Sequence, residues 1–235
     1  MSPLETYGSE PFAVKGWQLC ACFVTSTRVW GAVGTSMAAK GQKTRKTFRH
    51  GNLAEALVDA AVARLEADGA EALSLRELAR DAGVNHRAVY RHFPDKLSLV
   101  AQVAEEGWRR MERRVRQQIA GKPAGEQMLV AAGIGFFLFA RDNPNLFGLM
   151  AGPRVNLKGA FPGLEAAMAK TMAMFCKPFI DSGLKPELAL VRTALFMSAL
   201  QGITAQILHG RLYVSRVKAR DFVANTCKML FEGLR

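Results

Sequence analysis

The sequence is poor in the residues and motifs that mark catalytic and metal-binding proteins. It contains only four cysteines and four histidines in 235 residues. No C-x-x-C pair and no Cys/His set with zinc-ligand spacing occurs, which argues against a structural zinc site. A P-loop, a dinucleotide-binding glycine pattern after a strand, G-x-S-x-G and H-E-x-x-H are also missing. We therefore expect no enzyme, no metal and no other cofactor.

The four cysteines are Cys20, Cys22, Cys176 and Cys227. Cys176 and Cys227 lie in apolar segments, where a thiol is most often a small buried hydrophobe. This cysteine usage predicts a protein of the reducing cytoplasm without a structural disulfide.

Alternation of apolar and polar residues with period two is also absent, which excludes an extensive sheet. Apolar residues make up 49% of the chain and recur at helical spacing, so the sequence predicts an all-α fold without internal repeats. Proline at 178 is expected to kink or shorten its helix. The predicted helices span residues 52–67, two short segments within 75–93, and then 96–119, 127–140, 146–150, 164–182, 186–209 and 217–234.

The net charge of +12 is unevenly placed. Residues 51–100 carry more acidic than basic side chains. Five basic residues lie just upstream of this region; they are Lys40, Lys43, Arg45, Lys46 and Arg49. This segment suits either a flexible arm that touches phosphates or a minor groove, or a solvated tail that aids solubility.

Residues 1–36 differ from the rest of the chain. Their apolar stretch is too short and too polar to span a membrane. A secretory signal is conceivable, but we favour a poorly ordered leader preceding a natural start at Met37.

Residues 75–93, LRELARDAGVNHRAVYRHF, predict two short helices joined by a tight turn. Ser74 is expected to cap the first helix and Glu77 to complete a capping box. Leu73 before the cap is expected to pack on Leu78. Gly83 stands where a helix ends in a left-handed residue.

The second of these helices has an apolar and a basic face. Asn85 is a favourable cap, Val89 and Phe93 share the inward side, and Arg87 and Arg91 share the outward side. This is helix-turn-helix geometry, in which the second helix enters a DNA major groove. The alternative is an ordinary helical hairpin with a solvated basic face.

The chain resembles the TetR family of bacterial transcription regulators. The resemblance rests on the helix ending LEADG and on LSLRELARDAGVNHRAVYRHFPDKLSLV at residues 73–100. Downstream, FFLFARDNPNLFGLM and Leu208-His209-Gly210 resemble the subgroup with a WHG-type C-terminal domain, although its tryptophan is not evident. The resemblance implies an N-terminal three-helix helix-turn-helix unit followed by a larger helical ligand-binding and dimerisation domain.

The family resemblance also implies roles for individual residues. Since Arg can read guanine and Asn can read adenine, the expected base contacts are Arg76, Asn85, His86, Arg87, Ala88 and Arg91. The expected phosphate contacts are Ser74, Tyr90, His92 and Lys96, the last near a helix N-terminus. A buried core position is the alternative for His92. Arg91 departs from the aromatic residue often found there, so base specificity does not transfer.

The second half carries two weaker signals. Small residues recur every four positions at Ala194, Ser198 and Gly202, which favours close packing of two helices, either in a dimer or inside the subunit. An apolar effector cavity, or simply a core, is expected from Phe137, Phe147, Met150, Met172, Phe175, Met197 and Gln201. No acidic residue stands out as a partner for a cationic effector.

The sequence does not distinguish repression from activation; the family resemblance implies a cytoplasmic, homodimeric repressor that a small, apolar ligand releases from a double-stranded DNA operator. The expected divisions are a leader and basic arm at 1–49, a DNA-binding domain at 50–96 and a ligand-binding and dimerisation domain at 97–235. No membrane partner is expected. The competing hypothesis is a helical lipid- or partner-binding protein without sequence-specific DNA binding.

Overall fold

The computed structural model describes residues 53–152, 155 and 159–234, which form α-helices and one short 3-10 turn. No strand occurs in this part of the chain, which confirms the all-α prediction. The leader, Met37 and the basic arm lie outside the described residues. The helices are α1 (Leu53–Asp68), α2 (Leu75–Ala82), α3 (His86–His92), α4 (Lys96–Ile119), α5 (Glu126–Asp142), α6 (Pro144–Met150), α7 (Pro162–Asp181), α8 (Pro186–Leu208) and α9 (Arg216–Leu234).

Helices α1, α2 and α3 form a three-helix unit, called the head below. The apolar stripe of α1 is buried at Leu57, Ala61 and Leu65. It shares one continuous core with Leu78 of α2 and Val89 of α3. An unpredicted 3-10 turn at Ala70–Ala72 links α1 to α2.

The turn between α2 and α3 forms as predicted, but the cap of α2 does not. Gly83 is left-handed with φ of 65°, and the amide of Val84 donates to the carbonyl of Ala79 at 3.0 Å. Ser74 makes no side-chain cap bond. The predicted capping box is therefore wrong, and Glu77 instead receives the Arg64 guanidinium from α1.

Helix α4 leaves the head and packs against α1, α5, α6 and α7. It begins with a true capping box, in which the Ser98 amide donates to the Asp95 carboxylate at 2.7 Å and the Asp95 amide donates to the Ser98 hydroxyl at 3.2 Å. Helix α5 approaches α4 closely, since a Cβ on Gly135 would lie 2.9 Å from the Cα of Val115.

Helices α4 to α9 enclose an aromatic core and are called the sensor below, after the ligand-binding role that the sequence leads us to expect. The predicted helix ends differ from the observed ends by at most two residues. Of the two effects expected at Pro178, the shortening is wrong, because α7 continues through it to Asp181, and the kink stays a prediction. Proline has no amide hydrogen, so the bond that residue 178 would donate to the Met174 carbonyl is missing, and the helix nevertheless continues for three more residues.

Candidate nucleic-acid interface and sensor site

Helix α3 presents one apolar and one polar side. Val89 is completely buried and Phe93 is 2% exposed, so both anchor the helix to the head. Arg87 and Arg91, four residues apart, are exposed on the other side. A cation pair held on a rigid helix is suited to contact base edges or phosphates in a groove.

His86 and Tyr90 form a second exposed row on α3. Their ring centroids lie 4.4 Å apart with the planes tilted by 49°. Tyr90 is 40% exposed. The contact joins the residue expected to face bases to one expected to face a phosphate, so the two side chains restrict each other's rotamers.

Asn85 is the N-cap of α3. Its side-chain oxygen accepts from the amide of Arg87 at 2.9 Å. Adenine reading requires both the oxygen and the nitrogen of an asparagine amide. The cap bond therefore competes with the base contact expected of Asn85, and leaves its amide nitrogen as the available donor. Ala88 is half-buried beside it.

The remaining predicted DNA-contacting residues flank α3. Arg76, His92 and Lys96 are exposed, whereas Ser74 is half-buried. The exposure of His92 excludes the buried core position that the sequence left open. The N-terminus of α4 beside Lys96 is already occupied by Asp95, whose pKa is lowered by hydrogen bonds from the Ser98 backbone and side chain. The Ser98 amide, bound to Asp95, is therefore not available to a phosphate that Lys96 contacts.

The head shows a clear division between paired and unpaired cations. Arg64 binds Glu77 and Asp81, and Arg80 lies 3.7 Å from Asp81. Within the described residues, no ion pair involves the other three head cations, Arg76, Arg87 and Arg91, or Lys96 at the start of α4. These four are also the cations that the sequence assigned to DNA.

The sensor core brings together most of the residues predicted to line a cavity. Phe137, Phe147, Met150, Met172, Phe175 and Met197 are buried, and Gln201 is half-buried. Phe136, which the sequence reasoning did not single out, meets Phe147 edge-on at 5.4 Å and Phe175 at 6.3 Å. Phe136 and Phe137 are adjacent and both buried on α5, and spacing alone does not show which of two adjacent helical residues contacts a given neighbour.

Two buried polar atoms in the described part of the sensor have no hydrogen-bond partner: the indole nitrogen of Trp108 and the hydroxyl of Thr204. Thr204 is completely buried and lies on the inward side of α8, one turn after Leu200. Buried polar groups are usually satisfied. The sequence offered no signal for either, because neither residue type is unusual on an apolar helix.

Two buried acids were also missed. Glu105 is 6% and Glu112 is 8% exposed, both on α4. The oxygens of Glu112 receive Arg116 at 2.6 Å and Lys170 at 3.3 Å, and these contacts lower its pKa, the Arg116 hydrogen bond first. Glu105 binds Arg109 and accepts from Gln102 at 3.2 Å. Both acids are thus already neutralised by protein cations and amides.

The outer side of α8 carries an unpaired apolar stripe. Leu188, Val191 and Leu195 are 41%, 43% and 53% exposed, and the stripe continues through Ser198 and Gly202. A Cβ on Gly202 would meet nothing within 4 Å among the described residues. Two of the three small residues predicted for a dimer interface therefore face outward, whereas Ala194 is half-buried.

Helix α9 adds exposed Phe222 and Met229, the latter 70% exposed. Within the described residues, α8 is the one helix long and apolar enough to cross a membrane, by length and composition only. Since six of its residues, Thr193 and Phe196 among them, are buried against the sensor, α8 is also a core helix. The same described residues contain no group of three His, Cys, Asp or Glu side chains that could hold a metal ion.

Comparison with known proteins connects the head to a family. Residues 57–103 match the family model described as bacterial regulatory proteins, tetR family. The match begins within α1 and ends within α4, so it contains the complete helix-turn-helix region. The resemblance of the second half to the WHG subgroup lies outside this match and stays a prediction.

Solved structures share the fold along most of the chain. A protein of unknown function from Rhodococcus sp. RHA1 is 26% identical, with a TM-score of 0.66, covering 79% of this chain and 97% of its own. A TetR variant from Acinetobacter baumannii AYE in complex with minocycline is 16% identical, with a TM-score of 0.56 and coverages of 76% and 94%. BioQ with its double-stranded DNA operator is 18% identical, with a TM-score of 0.57 and coverages of 77% and 96%.

Proposed function

We propose that this chain, whose residues 57–103 match the tetR family model, is a TetR-family regulator that acts in the cytoplasm as a homodimeric, sequence-specific repressor. The carrying observation is that Arg76, Arg87, Arg91 and Lys96 are exposed without an acidic partner in the described part of the chain. Elsewhere in the head, Arg64 is bound by two carboxylates. Cations left unpaired around a helix-turn-helix are available to a polyanion, and double-stranded DNA is the polyanion this geometry fits.

Within this proposal, residues 50–96 read DNA and residues 97–235 bind the effector and the second subunit. Arg87 and Arg91 face base edges, and Arg76 reaches the groove from α2. Tyr90, His92 and Lys96 contact phosphates. Asn85 acts first as the cap that orients α3.

An arginine substitution with a matched control tests this assignment. Arg87→Ala is expected to weaken binding to a genomic duplex captured by the wild-type protein by about 1–3 kcal/mol for each half-site. Arg80→Ala removes an exposed arginine from the same head and is expected to leave that affinity within a factor of about two. Equal affinities of the two variants at every captured site would overturn the assignment of α3.

The homodimer is supported by the apolar stripe of α8 and by Phe222 and Met229 of α9, which suit a four-helix interface across a two-fold axis. Leu195→Asp is expected to convert the dimer to a monomer in sedimentation velocity. Tyr213→Asp, at a side chain that is 95% exposed, is the control and should stay dimeric. A wild-type protein that sediments as a monomer and binds lipid vesicles would favour the lipid-binding alternative.

The effector is proposed to be small and apolar, because aromatic rings and methionines dominate the sensor core. Minocycline is bound in the similar structure from Acinetobacter baumannii. That complex supports a small-molecule site in this fold and says nothing about which ligand this chain binds. A thermal-shift screen of flat apolar compounds should find ligands that raise the Tm and also release captured DNA. Ligands that raise the Tm without affecting DNA binding would contradict a regulatory role for this core.

A further inference from the structure

The N-terminus of α6 lacks the capping groups that a helix usually supplies to itself. Pro144 has no amide hydrogen, and Asn143 at the N-cap makes no side-chain cap bond. The Asn143 side chain points back along the chain and donates to the carbonyl of Phe139 at 3.0 Å. The first bond within the helix is that of the Phe147 amide to the Asn143 carbonyl at 2.9 Å. The amides of Asn145 and Leu146 therefore need a partner from elsewhere.

Glu66 of α1 supplies that partner. Its carboxylate accepts from the Leu146 amide at 2.8 Å and from the Asn145 amide at 3.4 Å. The Asn145 side chain also donates to the Glu66 carbonyl at 3.1 Å. A residue of the head, 79 to 80 positions earlier in the chain, thus caps a sensor helix with a charged group at its positive end.

The other contacts of α6 lie in the sensor. Its Phe147 ring stacks edge-on with Phe136 at 5.4 Å. A Cβ on Gly107 of α4 would lie 2.6 Å from the Met150 sulfur and 3.1 Å from Leu146, so α6 fits against α4 without spare room. Because packed helices leave no room for sliding, a change in the aromatic core that moves α6 must disturb one of its two ends. These ends are the contact of Met150 with α4 and the hydrogen bonds of the Asn145 and Leu146 amides to Glu66.

From these contacts we infer that the Glu66 carboxylate is a latch that joins the state of α6 to the position of the head directly, without passing through α4. In the closed state of the latch, the amides of Asn145 and Leu146 both donate to the Glu66 carboxylate and so join α6 to α1. When α6 shifts, these two hydrogen bonds break and α1 is no longer joined to the sensor through α6. Only the link from this contact to DNA binding rests on the proposed function.

Hydrogen exchange in the full chain tests the latch itself. Glu66→Ala should speed exchange of the amides in residues 144–150 by about tenfold, because charge-assisted hydrogen bonds are lost. Glu66→Gln keeps one acceptor oxygen and should give a smaller increase. Glu55→Ala, which removes an exposed acid from the same helix, should leave exchange in α6 unchanged. An unchanged α6 in Glu66→Ala would overturn the inference, whether or not the protein binds DNA.

A second arm tests the transmission between head and sensor. Adding a captured duplex to the wild-type protein should slow exchange in residues 144–150, although these residues belong to the sensor. In Glu66→Ala the duplex should slow exchange in the head but not in residues 144–150. Exchange in helices α7 to α9 should be the same as in the wild type. Protection of α6 that persists in Glu66→Ala would show that the signal runs through α4 and would contradict the latch. A protein that captures no duplex would refute the proposed function instead, and the first arm would still decide the latch.

Discussion

The head and helix α4 use their arginines in opposite ways. In the sensor, the arginines of α4 are matched to acids: Arg109 to Glu105, Arg116 to Glu112, and Arg110 to Glu106 and Asp59. In the head, the larger share of the cations is unpaired within the described residues. The net charge of +12 therefore says less about the partner than the local pairing does, since only unpaired exposed cations attract a polyanion strongly.

The two regions also differ in their cores. The head is stabilised by small aliphatic contacts and by the ion pairs of Arg64 with Glu77 and Asp81, called the Arg64 clamp below. The sensor is stabilised by contacts among phenylalanine rings. We expect substitutions in the sensor to cost stability first, and substitutions on the outer face of the head to cost affinity first.

The largest effect should follow removal of the central ring. Phe136→Ala is expected to destabilise the protein by about 3–5 kcal/mol, because the ring is buried and contacts two others. Tyr213→Ala, an aromatic truncation at a 95% exposed position, should stay within about 0.5 kcal/mol. Chemical denaturation of both variants measures the difference. A cost below about 1 kcal/mol for Phe136→Ala would mean that the aromatic contacts do not hold the sensor.

A smaller effect should come from the contact between α5 and α9. A Cβ on Gly133 would lie 2.3 Å from the Cys227 sulfur, so Gly133→Ala is expected to cost about 1–3 kcal/mol by overpacking. Cys227→Ala removes the sulfur, and the Cβ of residue 227 would then be 3.6 Å away. The double variant should regain most of the loss in a double-mutant cycle. Additive losses would contradict this packing.

The same cysteine should be chemically inert. Burial raises the pKa of the Cys227 thiol to about 12, so little thiolate is present near neutral pH. A thiol reagent added to the folded protein should leave Cys227 unmodified, while the unfolded protein should react. Rapid labelling at Cys227 in the native state would indicate that α9 opens readily.

Loss of the Arg64 clamp in Arg64→Ala should lower the free energy of unfolding by about 1 kcal/mol. The effect is small because the acids that bind Arg64 are more than a third exposed, so water screens the interaction. Hydrogen exchange in Arg64→Ala should rise in α1 and α2 and stay constant in α7 to α9. Arg80→Ala removes a longer contact of 3.7 Å and should change neither. An equal rise in both regions would show that head and sensor do not differ in this way.

The smallest effect should depend on pH. The pKa of Glu112 is lowered below its usual 4.5 by the Arg116 hydrogen bond, against an opposing effect of burial. A lowered pKa in the folded state stabilises the protein above the unfolded value and is lost as the pH falls through the folded value. Glu112→Gln should therefore be less stable than the wild type at pH 7, and the difference in Tm should shrink below about pH 4.5. A difference that grows on acidification would contradict this sign.

Local signals in the sequence were sufficient for the head. Gly83, Val89 and Phe93 adopt the predicted positions because the turn and the two helix faces depend on residues a few positions apart. The exception is the cap of α2, where Glu77 pairs with Arg64, 13 residues earlier in the sequence, and does not form the capping box. Competition of this kind does not appear in any local pattern.

The sensor depended on long-range contacts that spacing does not reveal. Helix ends followed from Gly, Pro and apolar periodicity, but Glu66 read as an ordinary acid near the end of α1. Glu105 and Glu112 likewise looked like solvent-exposed acids, because each has its cation one helical turn away. Their burial is decided by α7 lying against α4, which no window of the sequence contains.

Selection of duplexes from a random pool by the full-length protein tests the difference between head and sensor most directly. If unpaired head cations read DNA in a dimer, the enriched sequences should contain two related half-sites about 34–36 Å apart, in a two-fold arrangement. Arg87→Ala should lose preference at one position in each half-site, whereas Arg80→Ala should select the wild-type sequence. Enrichment of no common sequence, or the same sequence from all three proteins, would contradict the account.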